Sequence, residues 1–304
     1  MPHVQLTFEL GGVDPRTGED TCFALGALAV TLMDARDDPV LEPAPGEVRL
    51  WPATRLQALF PAASEPRALA LTIAAALELP AASIDAQVLA DRVWEREWLK
   101  DFHAMRFGQR LWVSPHHETV QEPRAVVVSL DPGLAFGTGT HPTTASCLRW
   151  LDAHIEGGER VIDYGCGSGI LAIAAAKLGA RCIECFDIDP QALTATRGNA
   201  TRNGVTGRVL PVAQETQLSS QVDLLLANIL FGTLCRLVRR FAELVRPGGR
   251  VVLAGVTEEQ ESAVAGAYAA WFDMRRFEAR NDWITLIGLR YPYASQLRSI
   301  AEVT

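Results

Sequence analysis

Glycine occupies every second position at the end of the run V-I-D-Y-G-C-G-S-G over residues 161–169, as Gly165, Gly167 and Gly169. The apolar residues before them read as a buried strand, and the alanine-rich stretch 170–177 after them as a helix. Strand, glycine loop and helix N-terminus make a cradle in which backbone can approach a ligand closely. The spacing is G-x-G-x-G, which differs from the G-x-G-x-x-G of dinucleotide enzymes. The next apolar run ends at Phe186 and Asp187, about twenty residues on, where a ribose diol needs an acceptor. Asp163, at the end of the first strand, has no counterpart in the nicotinamide fingerprint. Together these residues predict a site for S-adenosylmethionine.

Two further segments carry chemistry. Residues 131–144 read D-P-G-L-A-F-G-T-G-T-H-P-T-T, with three glycines and four threonines among the last twelve. They join an expected strand at 125–130 to a helix starting near Pro142. That length and position predict a lid over the ligand rather than a plain surface turn. Asn228 ends the apolar run that starts at Val222, where ligands bind at the carboxyl ends of strands in open α/β sheets; taken alone it reads better as a strand cap, and the other two segments turn it into a site residue. Cys182 and Cys185 fall in an expected strand, where period two points them to opposite faces, and no second pair exists. His103, His116 and His117 have no carboxylate or cysteine at ligand spacing. No metal site is expected.

These residues need elements to position them. From about residue 125, strands and helices alternate as in a doubly wound sheet. Asp189 caps a helix opened by Pro190 and ending near Asn203 and Gly204. Strands follow at 208–213 and 222–227, then a helix over 231–245, a turn at Pro247–Gly249 and a strand at 250–255. A helix through about Ala270 leads to final strands at 274–279 and 283–290. The first ninety residues read β-α-β-β-α-β, as in small ferredoxin-like domains. Their strands are expected at 4–10, 28–33, 48–51 and 84–89, with helices to about Ala27 and over 67–79. Residues 91–128 form a connector rich in aromatics, and Trp94, Trp98 and Phe102 share one helix face.

The 304 residues suffice for two domains, and 48% are hydrophobic against 21% charged. No apolar run reaches the ~20 residues that cross a bilayer, and no signal peptide opens the chain. Six scattered cysteines in a chain of this size predict a reducing cytoplasm. The net charge of −8 is uneven: residues 1–100 carry 15 acidic and 8 basic side chains, the rest 21 and 20. That balance argues against a nucleic-acid-binding surface, and so against DNA, on the first segment, and it suits a basic protein partner; charge alone is better read as acidic surface that aids solubility.

The run 130–190, with 227–230 and 246–249, resembles the PrmA family of ribosomal protein methyltransferases. The similarity extends to 91–112, to the opening strand and to 43–51. The loop G-T-G-T-H-P-T-T at 137–144 carries far more specificity than the glycine motif. The resemblance implies an α/β fold: a Rossmann-like class I methyltransferase domain at 129–304, with a seven-stranded, mostly parallel sheet. A small α+β ferredoxin-like domain at 1–90 would recognise the substrate, with 91–128 as linker. It implies methyl transfer from S-adenosylmethionine to lysine side-chain amines and the N-terminal α-amine. The partner would be the basic protein of the large-subunit stalk base, taken free rather than assembled. Thr144, Gly165, Asp187 and Asn228 would contact the cofactor, beside Asp163, Gly167 and Gly169 from the residue reading. Asn228 and Thr144 would position the reacting centre, with no essential general base. Asn228 is followed by Ile229 and Leu230 instead of the paired prolines typical of enzymes acting on planar amides and bases. A nicotinamide oxidoreductase and a non-catalytic cofactor-binding module remain as alternatives. The glycine spacing opposes the first, and the lid with Asn228 opposes the second.

Overall fold

The computed structural model describes residues 3–36, 51–89, 103–130 and 139–292. By internal packing the chain divides into two units, Met1–Trp98 and Leu99–Thr304.

The first unit is a four-stranded sheet in the order β2-β3-β1-β4, with neighbouring strands antiparallel. Its strands are β1 (His3–Glu9), β2 (Ala29–Asp34), β3 (Thr54–Pro61) and β4 (Asp85–Leu89). The helices α1 (Pro15–Ala24) and α2 (Pro66–Ala76) complete the β-α-β-β-α-β order. Val4, Leu6 and Phe8 of β1 and Leu56, Ala58 and Phe60 of β3 point into one core with Ile73 and Leu77. The third strand is displaced from its expected place at 48–51. Pro52 follows that stretch directly, whereas residues 54–60 of β3 alternate buried and half-buried positions. Residues 48–50 lie outside the described residues, as do Trp94, Trp98 and Phe102.

The second unit holds the seven-stranded sheet, ordered β10-β9-β8-β11-β12-β14-β13. Its strands are β8 (Arg160–Tyr164), β9 (Cys182–Phe186), β10 (Val209–Val212), β11 (Val222–Asn228), β12 (Val245–Thr257), β13 (Phe272–Arg280) and β14 (Trp283–Arg290). All run parallel except β14, which is antiparallel to both its neighbours. Strands covered on both faces need apolar sequence on both, and β8 supplies it at Val161 and Ile162 and β11 at 224–227. Val161 packs on one side with α3 (Pro142–His154), α4 (Ile170–Leu178) and α5 (Pro190–Arg202). Ile162 and Tyr164 pack on the other, with α6 (Phe231–Arg236), α7 (Val238–Leu244) and α8 (Glu261–Tyr268).

Three details differ from the sequence expectation. The helix expected over 231–245 breaks into α6 and α7 around Leu237. The strand expected at 250–255 begins earlier, because residues around Pro247–Gly249 bulge between the pairs Val222–Val245 and Leu224–Arg250. Within the connector, β5 (Met105–Phe107), β6 (Leu111–Ser114) and β7 (Val126–Ser129) form a small sheet. Phe107, Leu111, Val113 and Val128 enter the core of the second unit. The β5–β6 turn is held by Asp152 of α3, whose carboxylate accepts the backbone N–H groups of Gln109, Arg110 and Leu111. No described helix is long and apolar enough to cross a membrane.

Candidate active site

The order of the large sheet reverses between β8 and β11, so a crevice opens at their carboxyl ends. The glycine loop leaves β8 at this point and Asn228 ends β11 beside it. Gly165, Gly167 and Gly169 have φ of +79°, +54° and +78°, a region where a side chain costs ~1–2 kcal/mol. At Gly165 a Cβ would also fall 2.3 Å from Ile229 Cγ2. The residue after Asn228 therefore fills the space that this glycine leaves.

The loop and Asp187 are built as one piece. The N–H groups of Gly165 and Cys166 both donate to the Phe186 carbonyl, at 2.7 and 3.1 Å. Asp187 then accepts the Gly167 N–H at 2.9 Å on one carboxylate oxygen and the Asp189 N–H at 3.0 Å on the other. Each oxygen keeps a further lone pair. Asp189 caps α5 by accepting the Gln191 N–H at 2.8 Å, with Pro190 in the first turn. The acidic side chain is thus oriented from both directions by backbone.

Asp163 lies deeper. Its side chain is buried and accepts the Ala172 N–H of α4 at 3.0 Å. Burial pushes its carboxyl up to about 7; the Ala172 hydrogen bond opposes this, and the charge of Asp187 adds to it. Asp163 therefore ties the end of β8 to the first turn of α4, directly under the loop.

On the other side of the crevice Asn228 donates its Nδ2 hydrogen to the buried Thr144 Oγ1 at 3.2 Å. The two residues, distant in sequence, meet as a neutral pair. Thr144 stands in the first turn of α3, whose N-cap is His141. The His141 ring lies edge-on to Trp283, with centroids 5.0 Å apart, and joins the start of α3 to β14. Burial lowers the His141 pKa. Gly255 lets β12 pass close to the backbone just after Asn228, since a Cβ there would lie 2.4 Å from the Ile229 carbonyl oxygen. Of the expected lid, residues 131–138 lie outside the described residues.

Two side chains near the ends of β9 and β11 carry no polar signature, and the sequence reading gives neither a role in the site. Ile188, between the two aspartates, is 90% exposed, and Leu230, two residues after Asn228, is 59% exposed. Ile188, a large apolar group left in water beside an oriented carboxylate, suits a ligand with both an apolar ring and a diol. Their one sequence signal is position: each directly follows or nearly follows a polar residue at a strand's carboxyl end. Cys182 and Cys185, like the other four cysteines, are free thiols. Among the described residues no group of three or more His, Cys, Asp or Glu is placed to hold a metal.

The crevice thus brings together an oriented carboxylate with free lone pairs, an exposed apolar side chain beside it and a neutral amide–hydroxyl pair. Comparison with known proteins agrees in kind. Residues 6–290 match the family model described as ribosomal protein L11 methyltransferase (PrmA). The chain is 47% identical over 292 residues to the ribosomal protein L11 methyltransferase of Alkalilimnicola ehrlichii, covering 95% of this chain and 99% of that one. It is 48% identical over 269 residues to its namesake from Hahella chejuensis, covering 88% and 92%. Among solved structures it resembles a ribosomal protein L11 methylase from Lactobacillus delbrueckii subsp. bulgaricus, at 30% identity and a TM-score of 0.58. That match spans 62% of this chain and all of the other.

Proposed function

The chain belongs to the ribosomal protein L11 methyltransferase family, and from that premise we propose that it moves methyl groups from S-adenosylmethionine to amines of ribosomal protein L11. The acceptors are lysine side chains and the N-terminal α-amine. The observation that carries this reading is the doubly oriented Asp187 carboxylate after β9, held against the glycine loop that opens beside the switch point of the sheet.

When bound, S-adenosylmethionine supplies a methyl group already activated by its sulfonium. The chain's task is to hold and align. Asp187 would accept from the ribose hydroxyls, Ile188 would offer its apolar surface to the base, and Gly165, Gly167 and Gly169 keep the loop free of side chains. Gly169 and Asp163 fix the loop's exit into α4. Asn228 and Thr144 meet the reacting end as neutral dipoles, which orient an amine without trapping its protonated form as a carboxylate would. A lysine ammonium has a pKa near 10.4, so its proton must leave before its lone pair can attack. The apolar rim at Ile229 and Leu230 favours the neutral amine by desolvation. No side chain is assigned as an essential general base.

Residues 1–90 serve in this reading as the recognition domain, 129–304 as the methyltransferase domain and 91–128 as their connection. The acidic balance of residues 1–100 suits a basic protein partner, and the family resemblance adds that this partner is taken free rather than in the assembled subunit. Six free thiols suit a reducing cytoplasm. Incubation with methyl-labelled donor and purified large-subunit proteins tests the proposal. Label on L11, faster on the free protein than on assembled subunits, is expected. Label on no protein while the donor binds would make the chain a cofactor-binding module and overturn it.

A further inference from the structure

Helix α5 turns two buried polar side chains toward the glycine loop. The Thr196 hydroxyl donates to the Gly167 carbonyl at 3.0 Å, and the Asn199 Nδ2 donates to the Ser168 carbonyl at 2.8 Å. Thr196 is 0% exposed and Asn199 6%. One residue earlier, the Cys166 carbonyl accepts the Gly169 N–H at 2.8 Å. Three consecutive loop carbonyls are thus held by donors of the protein itself. The Cys166 thiol lies 3.4 Å from the Thr196 hydroxyl oxygen, so a thiol donating there leaves the hydroxyl proton for Gly167.

The close approach depends on Gly169, where a Cβ would fall 2.8 Å from Thr196 Cγ2. The glycines that allow it also bring a liability. A glycine peptide has no side chain to fix its plane, and several orientations cost nearly the same. Rotation of the peptide between Gly167 and Ser168 would turn the Gly167 carbonyl away from Thr196, and rotation of the next peptide would do the same at Asn199. Either change leaves a buried hydroxyl or amide without its acceptor, which is far costlier than losing an exposed hydrogen bond. Rotation of the second peptide would also withdraw the Gly169 N–H from the Cys166 carbonyl, which shares its peptide plane with the Gly167 N–H that orients Asp187.

We propose that Thr196 and Asn199 are positioning residues for the methyl donor: from helix α5 they lock the loop carbonyls inward and so keep Asp187 and the loop backbone in their receptive arrangement. The inference rests on the reading of the loop and Asp187 as the donor site. Its signature is a change in donor affinity, with the chemical step little affected once the donor is saturating.

The test uses the full chain with Thr196→Val, which keeps shape and removes the hydroxyl, Thr196→Ser, which restores it, and Asn199→Ala. Binding of S-adenosylhomocysteine, the demethylated donor, is measured by calorimetry, with donor KM, kcat and the melting temperature alongside. For T196V the dissociation constant and the donor KM should rise about ten-fold, with kcat changing less than about two-fold. T196S should recover to within about two-fold of wild type, and N199A should move in the same direction as T196V. The inference is overturned if T196V and N199A bind within about two-fold of wild type, or if T196S loses as much as T196V. It is equally overturned if affinity falls only where the melting temperature shows the variant unfolded. Wild type that binds no donor at all would overturn the underlying reading of the site instead.

Discussion

Asp187→Ala removes an acceptor pair whose surroundings set the size of the loss. Each carboxylate oxygen takes one backbone N–H, from Gly167 at 2.9 Å and from Asp189 at 3.0 Å, and has one lone pair left for a diol. Hydrogen bonds to a charged acceptor contribute ~1.5–3 kcal/mol each, so two to a ribose amount to ~3–6 kcal/mol. The neighbouring Ile188 is almost fully exposed, so water reaches this rim and hydrates the diol of the variant complex. That recovery leaves a net loss of ~3 kcal/mol, or roughly a hundred-fold in Kd. Asp187→Asn keeps the size and one acceptor and should lose about ten-fold. Calorimetric titration with S-adenosylhomocysteine reads both, free of turnover, and melting of the ligand-free proteins checks the fold. An Asp187→Ala protein that is folded and binds within about three-fold of wild type would refute the assignment.

Two other substitutions probe the layers beneath and opposite. Asp163 has its folded pKa raised to about 7 from the ordinary 3.8, so the folded chain keeps a proton there that the unfolded chain has released. Its contribution to stability is therefore full below about pH 4 and is lost as pH rises toward 7. Asp163→Asn should melt progressively higher relative to wild type between about pH 5 and 8; a constant difference across that range would contradict the assignment. Asn228→Ala strips Thr144 of its partner and takes a dipole from the reacting end. It should lower kcat/KM for the protein substrate by ~10²-fold, with a change of less than about ten-fold in donor Kd, measured by initial rates and calorimetry; the reverse split would make Asn228 a donor-binding residue only.

How far the site could be read in advance depended on whether its chemistry was local. The glycine alternation, the Asp189-Pro190 helix start and the strand end at Asn228 each announce themselves within a few residues, and the structure places them around one crevice. The pairing of Asn228 with Thr144 is different, because only the folded sheet brings β11 to the first turn of α3. Thr196 shows the limit most clearly. On the same helix, Thr194 and Thr201 donate to carbonyls of their own helix, at Pro190 and Arg197. Nothing in the local sequence separates those threonines from the one that reaches the glycine loop. The third strand of the first unit was misplaced for another reason: Ala58 weakens the hydrophobic alternation of Thr54–Pro61, while the aromatic at Trp51 strengthens the segment before it. The strands β5 and β6, three and four residues long, are too short for any periodicity to register.

The central claim, that this crevice passes methyl groups to protein amines, is met most directly by mapping the product. L11 is incubated with donor and chain, digested and read by mass spectrometry, with the Asp187→Ala protein in parallel. The account predicts methyl groups on lysine ε-amines and the N-terminal α-amine, strongly reduced with Asp187→Ala. Methyl groups on arginine or glutamine, or the same yield with Asp187→Ala, would contradict it.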